Sequence, residues 1–462
     1  MRFLLIYPPS SSFFIQTGKI LYGMAPPLGL LHIARVLEDE GNIVTILDFS
    51  AERFDEKKLL KSLENVDVVG ITVLTVSLPN ATKIISLIKD GKPEIPVIIG
   101  GPHCTLFPKK VLNDTQADIC VQGDGEEVIK DIKKAINGEV KYSEISGIYY
   151  KENQEIKQGQ PVHLITDLNA ISFPARHLVK NYEYGRGMNP SIKKGEFTSI
   201  VTSRGCPFSC RFCSRNSMSM NRYRMRSTKN IVEELKEIHN MGYKYVAFND
   251  DCFLSNKKQA QEIFNAIIKE RFDMKFYVTA ARVDSADVDL YLKMKKAGVC
   301  LLQFGLESGN QDVLDFYNKK TSLETIRYAV NLSHKMGFFT VGSFILGAPL
   351  ETREHFENTI SFAKSLPLNS VSFLPLMYMA GSNLWNDAVK EGKISSDEYL
   401  CQADSQRNLG FFTKQQLRTY CYSAQRSFYF RLKFVFDLLK TCLKQNDFSF
   451  LKAYLSYVFV KH

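Results

Sequence analysis

Nowhere in its 462 residues does the sequence hold about eighteen consecutive apolar residues, the length a membrane-spanning helix needs, so no spanning helix is expected. No small-residue cleavage site follows the apolar start MRFLLIYPPS, which reads as a first buried strand rather than a signal peptide. No internal repeat and no low-complexity tract is present, which excludes solenoids and compositionally biased linkers. Acidic residues are outnumbered, 49 against 59 Lys and Arg. The resulting +10 charge suits anionic ligands, nucleic acid or a membrane face and selects none of them. A disulfide framework is also missing. Of ten cysteines only three cluster, while Cys104, Cys120, Cys252, Cys300, Cys401, Cys421 and Cys442 are scattered. That is the pattern of a reducing compartment with one metal site, so a cytoplasmic location is expected, with membrane association left open.

What is there alternates strand and helix. Apolar runs at 2–7, 43–48, 67–73, 96–101 and 118–123 have strand length, and helical spacing lies between them at 26–41, 55–64, 79–90, 107–113 and 125–136. Unbroken apolar strands imply a parallel sheet covered on both faces. Residues 1–137 are therefore expected to form a flavodoxin-like (Rossmann-like) doubly wound α/β domain. Residues 138–195 read as a connector that begins with a hairpin. Alternation resumes with FTSIVTS and continues with strands at 244–250, 275–280, 299–307, 339–347 and 370–376. Six units over 196–376 are too few for an eight-unit barrel and fit an open, partial (β/α)6 TIM-type barrel. Residues 377–462 are expected to be C-terminal helices, with Phe428, Leu432, Val435, Phe436, Leu439 and Leu443 on one helical stripe. Rich in Phe, Tyr and basic residues, this region suits packing on the open side of the barrel, a lid, or a face resting on a membrane. Nothing local reads as an RNA-binding module, which argues against nucleic acid.

The first barrel strand runs into TSRGCPFSCRFCSRN (202–216), where Cys206, Cys210 and Cys213 are spaced C-x3-C-x2-C. Thiolates suit zinc or an iron–sulfur cluster. A structural zinc site wants a fourth Cys or His, commonly from a second paired motif, and the sequence has no second CxxC or HxxxH. A [4Fe–4S] cluster held by three cysteines leaves one iron for an exogenous chelator. Phe212 offers an aromatic face beside the last cysteine, and Gly205 and Pro207 shape the loop.

The motif C-x3-C-x-Phe-C after the first strand of a six-unit barrel resembles the radical S-adenosylmethionine (SAM) superfamily. The resemblance implies that SAM chelates the open iron through its amino and carboxylate groups. It also implies SAM contacts at successive strand ends: Phe212 in the loop, Asn249, Asp250 and Asp251 after the second strand, and Arg282 after the third. Glu307 and Ser308 in GLESG would follow at the fourth strand, and Ile345 and Gly347 in FILGAPLE at the fifth. MAGSNLW (379–385) departs from the Pro-Gly-Thr often found there in relatives, and no role is carried over to it.

The first domain lacks the glycine-rich turn after strand one that dinucleotides need; YPPSSS (7–12) stands there instead, and its prolines remove backbone donors. Its glycines lie at later strand ends: GITVLTVS (70–77), GGPH (100–103) and GDGEE (123–127). With PPLG (26–29) these resemble the cobalamin-binding domain that precedes many radical SAM barrels. The implied cobalamin contacts are Gly70, Thr72, Val73, Leu74, Ser77, Gly100, Gly101, Pro102, His103, Gly123 and Glu126. A domain that keeps the fold and binds nothing is the alternative. The Asp-x-His-x-x-Gly loop of many cobalamin enzymes is missing, which implies cobalamin without a protein His below the cobalt.

The resemblance thus implies a cobalamin-dependent radical SAM enzyme with three cofactors: a [4Fe–4S] cluster, SAM and cobalamin. Cleavage of SAM to a 5′-deoxyadenosyl radical would be followed by methylation of an unactivated carbon or phosphorus centre through methylcobalamin. Cyclisation, ring contraction or oxidation on the same scaffold remains the rival outcome. The implied partners are a small-molecule or lipid substrate and a reducing protein such as flavodoxin or ferredoxin.

Overall fold

The computed structural model describes residues 1–10, 25–445, 448, 451 and 454. Ser11 and Ser12 of YPPSSS, and most of 446–462, lie outside the described residues. Two compact units divide the chain: residues 1–188 with 192–197, and residues 189–191 with 198–461.

The first unit is built on a seven-stranded sheet. Its strands are β1 (Arg2–Tyr7), β2 (Ile43–Asp48), β3 (Val68–Thr72), β4 (Val97–Gly100), β5 (Ile119–Val121), β6 (Ile148–Glu152) and β7 (Glu155–Gln158), in spatial order β2-β1-β3-β4-β5-β6-β7. The first five are parallel. Phe3, Leu4, Leu5 and Ile6 are all buried, as a strand covered on both faces requires. The order 2-1-3-4-5 is the flavodoxin-like one, with its reversal beside β1. The hairpin expected at the start of the connector supplies β6 and β7, which extend this sheet in antiparallel fashion. Further on, Tyr184 donates its hydroxyl to Asp48 at the end of β2 (2.6 Å). Residues 138–188 thereby belong to the first unit.

The main sheet of the second unit holds six strands in sequential order: Phe197–Ile200, Tyr245–Phe248, Lys275–Ala281, Val299–Glu307, Phe339–Leu346 and Ser370–Pro375. Register runs parallel from the second to the sixth. The sheet is open, with the first and sixth strands at its edges. An exposed edge presents unpaired main-chain groups. Here the helix Lys414–Tyr429 satisfies those of the sixth strand: Gln425 accepts from the Phe373 N–H (3.1 Å) and donates to the Val371 carbonyl (3.2 Å), and the Tyr429 hydroxyl meets both Val371 N–H and C=O at 3.0 Å. The aromatic stripe expected along one helix is divided, because the helix is interrupted at Phe430–Arg431 before the helix Leu432–Gln445. Phe428 is buried, whereas Leu432, Phe436 and Leu443 are exposed. No helix among the described residues is long and apolar enough to cross a membrane.

Candidate functional site

The cysteine loop starts where Gly205 turns the chain. Its φ of +88° favours glycine, and a Cβ there would strike the Arg222 carbonyl. Cys206, Cys210 and Cys213 are free, partly exposed thiols on this loop. Two consecutive residues after the helix Gln311–Phe316 hold its middle, and the next, Lys319, holds Arg282. The Tyr317 carbonyl accepts from Arg211 N–H (3.0 Å), Asn318 Nδ2 donates to the Ser209 carbonyl (3.0 Å), and the Lys319 carbonyl accepts from Arg282 Nη2 (2.6 Å). The other side is braced by MAGSNLW: Leu384 N–H donates to the Arg211 carbonyl (2.9 Å), and Ser217 Oγ to the Gly381 carbonyl (2.6 Å).

The strand ends bring charge to the loop. Asp250 is buried after the second strand, and its Oδ1 accepts from Thr202 N–H (3.0 Å), Thr202 Oγ1 (2.8 Å) and Ser203 Oγ (2.7 Å), pinning the entry to the cysteine loop. Its Oδ2 is buried with no partner. Burial raises its carboxyl to about 6, against the lowering effect of those donors. Asp251 pairs with Arg215 (2.9 Å). Asn249 is exposed beside them. Arg282 lies one residue past the third strand, with Nη1 3.9 Å from Cys210 Sγ. Glu307, last in the fourth strand, has a left-handed φ of +63° and a buried ion pair with Lys319 at 2.5 Å. A non-glycine residue in that region marks local strain of the kind found at ligand sites. Ser308 turns inward, within 3.3 Å of the Thr359 hydroxyl. Ile345 is half-buried, and Gly347 (φ +111°) and Ala348 present their N–H groups to buried Glu351 at 2.6 and 2.7 Å. Phe212 packs edge-on against Tyr317, 5.1 Å between ring centres.

The thiols are not equivalent. Cys252 donates a hydrogen bond to Cys206, which lowers the Cys206 pKa. Burial pushes Cys213 up to about 11 and also raises Cys210, for which Lys319 and Arg282 act in the opposite sense. Among the described residues no three His, Cys, Asp or Glu side chains converge on a point as a mononuclear site requires. Three thiols on one loop, each free to take a separate iron, with cations alongside, fit the donor set of a [4Fe–4S] cluster. Cys252, Lys319, Tyr317 and Glu351 escaped the sequence reading. Cys252 stood next to Asp251 and could have been noticed. Tyr317 holds the loop, and Lys319 holds Arg282, through their carbonyls, which have no sequence signature.

In the first unit the expected cobalamin residues meet at the carboxyl ends of β3, β4 and β5, apart from Gly70, which lies within β3 and leaves room for Leu5. At Gly101 (φ +104°) a Cβ would come within 2.8 Å of Thr72 Oγ1. Val73 donates to the Gly100 carbonyl (2.7 Å) and accepts from the His103 N–H (3.1 Å). Leu74 N–H donates to Ser77 Oγ (3.0 Å), Pro102 opens the short helix Pro102–Leu106, and Gly123 N–H donates to Thr105 Oγ1 (3.2 Å). Glu126 is buried. His103 is buried with Nδ1 3.2 Å from Thr75 Oγ1, and burial lowers its pKa to about 4, so the imidazole is neutral. The three loops form a main-chain edge closed by small residues, which fits a large ligand approaching the backbone.

Comparisons agree with both units. The family model described as B12 binding domain matches residues 20–133, and that of the Radical SAM superfamily matches residues 200–363. An uncharacterised methyltransferase of Pyrococcus horikoshii is 31% identical over 460 residues, covering 98% of this chain and 97% of its own length. The cytidylyl-2-hydroxyethylphosphonate methyltransferase of Streptomyces wedmorensis is 26% identical over 86% of this chain and 84% of its own. In fold, the chain is similar to the radical SAM methyltransferase TsrM from Kitasatospora setae, solved with cobalamin and a [4Fe–4S] cluster. There the TM-score is 0.69 at 19% identity, over 84% of this chain and 75% of that one.

Proposed function

Because this chain belongs to the radical SAM superfamily, in the form that carries a B12-binding domain, we propose that it transfers a methyl group from SAM to an unactivated carbon or phosphorus centre of a small-molecule or lipid substrate. The observation that carries the reading is the three-thiol loop, clamped and flanked by cations at the carboxyl ends of an open parallel barrel. Cys206, Cys210 and Cys213 would hold three irons of a [4Fe–4S] cluster, and the loops after β3, β4 and β5 would hold cobalamin. When bound, these groups supply the electron that opens SAM to a 5′-deoxyadenosyl radical and a carrier for the methyl group.

The chain's own contribution is placement. Asp250 fixes the start of the loop through Thr202 and Ser203 and keeps Oδ2 for a donor such as the SAM ammonium. Exposed Asn249 stands beside it. Glu351 holds the Gly347–Ala348 turn, so that Ile345 and Gly347 can pack on adenine. Electrons would come from a low-potential protein of the flavodoxin or ferredoxin kind.

Anaerobic reconstitution with iron, sulfide and hydroxocobalamin tests this. We expect about four irons per chain and corrin absorbance that survives desalting. With reductant and methyl-labelled SAM, label should enter a product in a metabolite or lipid extract as 5′-deoxyadenosine accumulates. Deoxyadenosine without labelled product would instead point to cyclisation, ring contraction or oxidation. Loss of corrin absorbance on desalting would reduce the chain to a radical SAM enzyme with an empty first domain.

A further inference from the structure

Arg282 has little left to offer a ligand. Its Nε reaches both carboxylate oxygens of Asp284 at 3.1 Å, and Nη2 donates to the Lys319 carbonyl at 2.6 Å. Nη1 points at Cys210 Sγ, 3.9 Å away, and the flat guanidinium face lies 3.8 Å from the centre of the Phe208 ring. The residue is 7% exposed. All three nitrogens and the face are engaged, two of these contacts within the cysteine loop itself.

We propose that Arg282 is a positioning residue that sets the Cys210 corner of the loop and raises the reduction potential of the cluster bound there, rather than a contact to SAM. This rests on the radical SAM reading. Hydrogen bonds to the sulfurs and net local charge are among the factors that set iron–sulfur potentials. A cation beside a cluster thiolate stabilises the added electron, and burial limits its screening by water. Lys319 is a second nearby cation, but Glu307 neutralises it at 2.5 Å within the buried layer. Asp284, the partner of Arg282, is 38% exposed at its side chain, so solvent screens its charge more. Arg282 is therefore the cation whose field reaches Cys210 with less local compensation.

The test uses reconstituted full-length protein, with the midpoint potential of the cluster read by electron paramagnetic resonance without SAM. Arg282→Gln should move the potential to more negative values, Arg282→Lys should stay near wild type, and Asp284→Asn should move it positive. A merely structural role would not produce opposite shifts. SAM affinity, measured by equilibrium binding, should change by less than about tenfold in Arg282→Gln. An unchanged potential with affinity lost by more than that would overturn the proposal and make Arg282 a ligand contact. If Arg282→Gln fails to take up a cluster, Asp284→Asn alone decides: a positive shift supports the proposal and no shift overturns it. Wild-type protein that takes up no cluster would overturn the family reading as well.

Discussion

The carboxyl edges of the two sheets are built from different materials. Over the ends of β3, β4 and β5 the edge of the first unit is closed mainly by backbone and small hydroxyls: Gly101 against Thr72, Val73 bonded to both Gly100 and His103, Gly123 bonded to Thr105, with carboxylates buried at Glu126 and, at the end of β2, at Asp48. Its one buried imidazole is kept neutral. The edge of the second unit carries thiols, the buried Glu307–Lys319 pair, Arg282 with Asp284, and a buried carboxylate at Asp250. A backbone-lined edge recognises shape at close approach, where glycine keeps side chains out of the way. A charged edge controls electron and proton affinity, because charges in a desolvated site act strongly on one another. Under the proposed function, the first edge would hold its ligand and the second would do the redox work.

The largest effects come from breaking one edge while sparing the other. Cys210→Ala should abolish cluster uptake and with it SAM cleavage, leaving corrin retention unchanged; iron analysis and deoxyadenosine release would show the loss. The reciprocal break is Gly101→Val. Gly101 combines φ +104° with a Cβ position 2.8 Å from Thr72 Oγ1, so a branched side chain forces the loops after β3 and β4 apart. Cobalamin affinity should fall by about tenfold or more, read by equilibrium titration, with iron content as in wild type. A variant that lost both cofactors would remove the separation of roles.

How much of this was legible beforehand follows the same division. The strands at 2–7 and 43–48 were readable to the residue, because buried parallel strands are unbroken apolar runs. The open six-strand order followed from counting units. The hairpin at 148–158 was visible as a hairpin, but its membership of the first sheet was not, because periodicity reveals a strand and not its partner. At the site, the cysteine spacing announced itself. The links of Tyr317 and Asn318 to the loop and of Lys319 to Arg282 did not, since all three use carbonyl oxygens that every residue possesses. Arg282 could be placed at a strand end, whereas its four engagements required coordinates. Gln425 and Tyr429 likewise gave no hint that they cap the sixth strand.

The smallest effect, and the finest test of the comparison, is the sign of the pH dependence at each edge. His103 has its pKa lowered by burial from 6.5 to about 4. Between those values the unfolded chain binds more protons than the native one, so this group's contribution is complete above about 6.5 and is lost as pH falls through 4. Asp250 behaves oppositely. Burial raises it from 3.8 to about 6, so the native form holds the proton longer. Its contribution is complete below 3.8 and is lost as pH rises through 6. The two contributions carry opposite signs over overlapping ranges, and Glu351, which burial raises to about 7, adds to the side of Asp250. In thermal melts of the full chain between pH 4 and 7, Asp250→Asn should therefore make the slope of Tm against pH more positive than in wild type, and His103→Gln should make it more negative. Shifts of a few degrees are expected. Slopes that changed in the same direction in both variants would mean that the two edges do not differ in the electrostatic sense argued from their buried groups.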